Sequence, residues 1–272
     1  MICIKNATLL DGIHPVQKKM DILIDGGTIY KIGRNLAPGG CRVLPANGCW
    51  VIPGLIDAHC HLREPGFEYK EDISSGTRSA AKGGFTQIAC MPNTNPVLDN
   101  GPLVRFVRQK AEMEGAVKVQ VIGSITKGLL GQELSEMGEL KEAGVVALSD
   151  DGRAVGNADL MKRALEYAKT FHLLLISHCE DTSLSKNGVM NDGYQSTILG
   201  LRGISRAAEE VMVSRDIILA ETVGAPLHIA HVSTRGSVEL VRRAKIRGVK
   251  VTCETAPHYF SATDAWVTGY NT

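Results

Sequence analysis

No uninterrupted apolar run in this chain approaches the ~20 residues a membrane-spanning helix needs. The opening Met1-Ile2-Cys3-Ile4-Lys5 lacks the architecture of a signal peptide. Neither charge sign is in excess, with 30 Lys plus Arg against 29 Asp plus Glu, so no broad field favours nucleic acid or an anionic membrane as a partner. CxxC spacing is missing as well. Cys3, Cys41, Cys49, Cys60, Cys90, Cys179 and Cys253 are odd in number and scattered, mostly in apolar runs, which reads as reduced core thiols and excludes a disulfide framework or a zinc ribbon. There is no low-complexity tract. No GxGxxG loop follows the first strand of the main domain, which weakens a dinucleotide-binding reading. A soluble cytoplasmic protein with local, specific partners is expected.

What is present is a 272-residue chain, 44% hydrophobic, enough for one large core with a small appendage. Residues 1–50 alternate short β runs with turn chemistry. Asp21 to Ile24, Asp25-Gly26-Gly27 and Thr28 to Ile32 spell a hairpin, and Pro38-Gly39-Gly40 marks a further turn before Arg42 to Pro45. This region is expected to form the N-terminal part of a small β-sandwich module, with a boundary near Trp50. From residue 51 to 272 apolar strands alternate with amphipathic helices. The strands are expected at Val51 to His61, Thr86 to Met91, Val117 to Gly123, Val145 to Ser149, Leu173 to His178, Pro226 to His231 and Val249 to Glu254. Helical periodicity runs through Leu103 to Glu114, Ala158 to Thr170, Arg206 to Thr222 and Val238 to Arg247, with Asn157 and Ser237 as N-caps. About seven such repeats predict an α/β fold of the (β/α)8 TIM-barrel type, incomplete, in preference to an open doubly wound sheet.

The segment Gly54-Leu55-Ile56-Asp57-Ala58-His59-Cys60-His61-Leu62-Arg63-Glu64-Pro65-Gly66 carries the chemistry. On a strand Asp57, His59, His61 and Arg63 share one face, with apolar residues on the other. Four polar groups buried in a barrel call for compensation, and a bound cation supplies it. Further ligands belong at the C-terminal ends of other strands, and the sequence places His178, His231 and the pair Asp150-Asp151 there. Each histidine alone is explained as a hydrogen-bonded core residue; three strand ends together with His-x-His argue for a shared site. Imidazole and carboxylate without thiolate suit Zn²⁺ best, with Mn²⁺, Co²⁺ or Fe²⁺ as substitutes, and one or two ions fit, with Asp151 as the candidate bridge. His14 and His172 read as solvated, His228 as facing the outer layer, and His258 stays open between a supporting role and none.

His59-Cys60-His61-Leu62-Arg63-Glu64-Pro65-Gly66, followed by Cys90-Met91-Pro92-Asn93-Thr94, resembles the bacterial dihydroorotase family of cyclic amidohydrolases. The likeness continues through Leu148 to Gly152, Ser177 to Glu180, His231 to Thr234 and Glu254 to His258. The resemblance implies that His59 and His61 hold one ion and His178 and His231 the other, with Asp151 between them. Hydantoinase-type relatives bridge with a carboxylated lysine, and no lysine ends the Val145 strand. It also implies that Arg63 and Asn93 bind the substrate's carboxylate, and that the reaction is reversible hydrolysis of (S)-dihydroorotate to N-carbamoyl-L-aspartate in pyrimidine biosynthesis. A homodimer and association with aspartate transcarbamoylase are the implied assemblies. In the family an eighth-strand aspartate serves as general acid and base, and the resemblance puts that residue beyond Thr272. The chain is therefore expected to stop before the eighth strand, to leave its first and seventh strands with open edges, and to have little activity alone. The competing expectations are another cyclic amide hydrolase, an allantoinase or hydantoinase, and a non-catalytic scaffold supporting aspartate transcarbamoylase.

Overall fold

Gly26 and Gly27 both adopt positive φ, +55° and +80°, the combination that a two-residue turn between twisted antiparallel strands requires. The expected hairpin therefore forms, with Asp25 opposite Thr28. The structure is a computed structural model that describes residues 1–36 and 39–269. Pro38 of the expected turn lies outside the described residues, as do Tyr270, Asn271 and Thr272. The general acid and base expected beyond Thr272 therefore also falls outside them. Two compact units divide between Leu55 and Ile56.

The first unit holds β1 (Ile2–Leu9), β2 (Gln17–Asp25), β3 (Thr28–Gly33), β4 (Arg42–Pro45) and β5 (Trp50–Val51). Among the described residues these strands make one sheet in the order β3-β2-β1-β4, with β5 also on β1. Trp50 and Val51 still pair with Thr8 and Leu9, which carries the division past the expected boundary. For the same reason the expected strand Val51 to His61 is two strands, interrupted at Pro53-Gly54.

In the second unit the alternation is β6 (Leu55–Cys60), α1 (Ile73–Lys82), β7 (Phe85–Cys90), α2 (Gly101–Glu114), β8 (Lys118–Gly123), α3 (Met137–Ala143), β9 (Ala147–Ser149), α4 (Ala158–Thr170) and β10 (Leu174–Ser177). Two short helices, α5 (Thr182–Ser185) and α6 (Tyr194–Leu199), and a minor pair, β11 (Met190–Asn191) and β12 (Gly203–Ile204), precede α7 (Ala207–Val223), β13 (Leu227–Ile229), α8 (Arg235–Ile246), β14 (Val251–Cys253) and α9 (Pro257–Ser261). Seven strands follow one another in the order β14-β13-β10-β9-β8-β7-β6, the α/β barrel-type arrangement the alternation predicts. Period two is visible in the packing. Leu148, Leu175, Leu227 and Ile229 point into the large core shared with the helices, while Ala89, Ile122, Ala147 and Ile176 form a second cluster on the other face. β6 ends the order, and Leu55 and Ile56 are 41% and 63% exposed, so the first strand is not buried on both sides as an interior barrel strand would be.

Helix ends follow local hydrogen bonding. The Asn157 side chain accepts from Asp159 N and Leu160 N at the start of α4, as the sequence suggests. The cap of α8 is Thr234, not Ser237: the Thr234 hydroxyl accepts from Ser237 N at 3.2 Å, and the helix begins three residues earlier than the apolar period indicates. Among the described residues no helix is long and apolar enough to cross a membrane.

Candidate metal centre

The ladders of β6, β9, β10 and β13 stop at or one to two residues before His61, Asp151, His178 and His231, so these side chains leave the sheet together at its C-terminal end. His59 and His61 with Asp151 form one set whose ligand atoms lie within 4.8 Å of one another, and Asp151 with His178 and His231 forms another. Asp151 belongs to both. Its Oδ1 is 3.4 Å from His59 Nε2 and 3.4 Å from His231 Nε2, while Oδ2 is 3.5 Å from His61 Nε2. The donors are imidazoles and one buried carboxylate, a set that accommodates a metal ion on either side of Asp151.

The outer nitrogens of these rings are also engaged. His59 Nδ1 is hydrogen-bonded to Glu254, His61 Nδ1 is 3.0 Å from Asn93 Oδ1, and His178 Nε2 is 3.1 Å from Glu180 Oε2. An imidazole donating through one nitrogen presents the lone pair of the other, so Glu254 and Asn93 leave both Nε2 atoms of the first pair directed at the centre. Asn93 Nδ2 in turn donates to Asp151 Oδ2 at 3.1 Å. The sequence reading missed Glu254 as a supporting residue, yet the signal was present: it follows β14 as the histidines follow their strands.

Other residues stand elsewhere than expected. His228 shares a register row with Ile176, so it faces the inner cluster, not the outer layer. Its Nδ1 is 2.7 Å from Thr252 Oγ1, and its Nε2 stands 3.3 Å from Glu254 Oε2 without hydrogen-bond alignment. The strand ends at Ile229 and His231 turns to a φ of +35°, which breaks the alternation on which the expectation rested. His258 is exposed on α9, its ring centroid 4.4 Å from that of Tyr259. Asp150 is buried away from the histidines and accepts from Ile125 N at 2.8 Å, Thr126 N at 3.0 Å and the Thr126 hydroxyl; burial raises its carboxyl to about 6.

The Arg63 motif divides between roles. Glu64 is buried, accepts from Ile73 N at 3.0 Å and pairs with Lys110, so it fixes the loop to α1 and α2. Gly66 has φ +96°, and a Cβ there would fall 1.9 Å from Asn95 O, so only glycine lets the two motif loops approach. Arg63 is half-buried, close enough for its charge to oppose protonation of His61. A cavity of about 800 Å³ opens beside His178 and His231, with Arg206, Glu209 and Tyr259 in its wall; neither Arg63 nor Asn93 lines it. A second opening, of about 750 Å³, lies at the other end of β7 and β8 and contains no candidate ligand.

Charge at the centre is strongly coupled. Burial alone pushes the His59 imidazole down, but hydrogen bonds to Asp151 and Glu254 and their charges overcome it and hold the ring at about 9. Burial likewise penalises the carboxylates, yet the histidines keep Asp151 well below the usual range and Glu254 at about 2. His61 moves the other way, because burial outweighs the attraction of Asp151. In the metal-free chain, His59 contributes stability that is full below its ordinary 6.5 and lost as pH rises through about 9. Glu254 contributes above its ordinary 4.5 and loses that contribution as pH falls through about 2. Thermal unfolding in chelator should therefore show stability declining from pH 6.5 to 9, with His59→Ala flattening the decline. Over the same window apparent metal affinity should rise by about tenfold per pH unit for each proton displaced. An affinity independent of pH would contradict the charged state of His59.

The sequence profile of the "Dihydro-orotase-like" family matches residues 48–237. A protein of Ruminiclostridium cellulolyticum named dihydroorotase is 59% identical over 271 residues, covering 100% of this chain and 63% of that protein. One of Geobacter sulfurreducens with the same name is 57% identical over 272 residues, covering 100% and 64%. The chain thus spans a little under two thirds of the length of these relatives. Among solved structures, the L-hydantoinase of Arthrobacter aurescens superposes with a TM-score of 0.81 at 21% identity, covering 96% of this chain and 59% of that one. A D-hydantoinase superposes with a TM-score of 0.80 at 26% identity, covering 99% and 60%.

Proposed function

Because the chain belongs to the dihydro-orotase-like family, we propose that it forms the metal-binding part of a dihydroorotase, which interconverts (S)-dihydroorotate and N-carbamoyl-L-aspartate by opening and closing a cyclic amide. The observation that carries this reading is the convergence of two histidine pairs on the single carboxylate of Asp151. An aspartate in that place, where hydantoinase-type relatives carry a lysine, favours dihydroorotate over hydantoins.

Zinc is the proposed ion, one with His59 and His61 and one with His178 and His231, and when bound it supplies Lewis acidity and a water of lowered pKa. The chain's own residues do the rest of the positioning. Asp151 offsets the charge between the two pairs, Glu254 and Asn93 fix the ring orientations of His59 and His61, and Arg63 binds the substrate's carboxylate. The planar guanidinium offers paired donors that match a carboxylate, which an ammonium cannot reproduce. Asn93 Nδ2 donates to Asp151 Oδ2 at 3.1 Å and to the Asp151 carbonyl at 3.4 Å, and a substrate carboxylate beside Arg63 would take over the longer of the two contacts.

The test is comparative binding and turnover of dihydroorotate, a hydantoin and allantoin by the zinc-loaded protein. Dihydroorotate should be preferred, and Arg63→Lys should raise its KM or Kd roughly tenfold or more, the loss expected for a charge-assisted hydrogen-bonded pair. Equal treatment of hydantoin, which lacks the carboxylate, would overturn the substrate assignment. A larger effect of Arg206→Lys than of Arg63→Lys would move the carboxylate to the cavity beside His178.

A further inference from the structure

Two consecutive residues of α7, Arg215 and Asp216, play no part in the chemistry above, yet Asp216 is buried against the end of β10 and Arg215 is half-buried over the loop that follows β9. Asp216 is 0% exposed. Its Oδ2 accepts from the Ser177 hydroxyl at 2.6 Å and lies 3.7 Å from Cys179 Sγ, so it touches the residues on both sides of His178. Arg215 donates through Nε to Asp216 Oδ1 at 2.8 Å. It also donates through Nη1 to Gly156 O at 2.8 Å and through Nη2 to Val155 O at 2.9 Å, and those two carbonyls end the loop that begins at Asp150 and Asp151.

The sheet does not fix this spacing by itself. Pairing between β9 and β10 runs from Ala147 with Leu174 to Ser149 with Ile176 and stops there, before Asp151 and His178. Asp150 ties the start of the loop toward β8 through Ile125 and Thr126, leaving its far end to Arg215. A buried ion pair is weak evidence for stability, since a well-packed apolar pair serves a helix–strand contact as well. Directional donors and acceptors on both sides of the pair give it a positional use that an apolar contact lacks.

We propose that Arg215 and Asp216 are positioning residues, a latch on α7 that sets the separation of Asp151 from His178 and thereby the metal affinity of the Asp151, His178 and His231 set. The inference rests on the metal-centre reading, and its test separates the two. Zinc affinity is measured by competition with a chromophoric chelator in two full-length backgrounds: His59→Ala/His61→Ala, which leaves the set beside the latch, and His178→Ala/His231→Ala, which leaves the other. Asp216→Asn, which releases the residues beside His178, should weaken binding on the order of 10- to 100-fold in the first background, the range for loss of a supporting contact, and less than about threefold in the second, whereas Arg215→Lys, which loosens the loop of the shared Asp151, should weaken binding in both. Ser177→Ala, which leaves the ion pair intact, should act in the same direction and serves if either charge variant fails to fold. Equal losses from Asp216→Asn in both backgrounds, none from it in the first, or none from Arg215→Lys in either would assign the pair to general stability and overturn the latch. Absence of zinc binding in both parent backgrounds would overturn the metal centre, and the latch with it.

Discussion

In the proposed two-zinc centre, Asp151→Ala should strip both ions, lowering zinc content to near none and lowering affinity for each ion by at least about 10³-fold. The size follows from the geometry. One carboxylate is shared by both ligand sets, so a single substitution removes a charged donor from each and leaves four imidazoles facing one another with Glu254 and Glu180 only on their outer sides. His59 illustrates the consequence: with Asp151 gone, the first of the interactions that oppose its burial disappears, and its pKa should fall. Metal analysis after equilibrium dialysis checks the stoichiometry, and ring ¹⁵N chemical shifts check the histidine. A variant that retains one tightly bound ion would show that the two sets do not depend on a common bridge.

Leu148→Ala should be the most damaging single truncation among the strand residues near the centre. Leu148 is 0% exposed on β9, paired with Gly123 of β8 and Leu175 of β10, and it sits three residues before Asp151. Truncating a fully buried leucine removes its transfer free energy and leaves a cavity, about 2–5 kcal/mol in all. That is a large part of the ~5–15 kcal/mol that holds a typical domain. For a chain of this size it corresponds to a fall in Tm of about 4–20 °C. Val146→Ala, at a neighbouring position that is 44% exposed, should cost less than about 1 kcal/mol. Circular dichroism melts of both variants in chelator make the comparison. Saturating zinc should return part of the loss, because a ligand bound only by the folded chain stabilises it.

The strand–helix order and the positions of His59, His61, Asp151, His178 and His231 were legible in the sequence because apolar runs that end in a polar residue mark strand ends directly. What lay beyond the strand ends was less legible. The outward placement expected for His228 assumed an alternation continuing to His231, but the ladder stops at Ile229 and the chain turns through a positive φ. Glu254 and Asn93 act through the rings of His59 and His61, and such partners depend on where loops from distant parts of the sequence meet. Asp216 looks like an ordinary polar residue of an apolar helix until Ser177, 39 positions earlier, is found against it. Glu64 and Gly66 were legible as a motif, but their roles in fixing α1 and admitting Asn95 appear only once the two loops are seen together.

The most direct test of the central claim is the anomalous scattering of zinc in crystals of the zinc-loaded protein. The account predicts two peaks ~3.5 to 4 Å apart, the spacing of a two-metal site. One should be bound by His59 and His61 through Nε2 and the other by His178 and His231, with the carboxylate of Asp151 between them. Peaks away from these residues, or a zinc ion to which Asp151 contributes no oxygen, would contradict it.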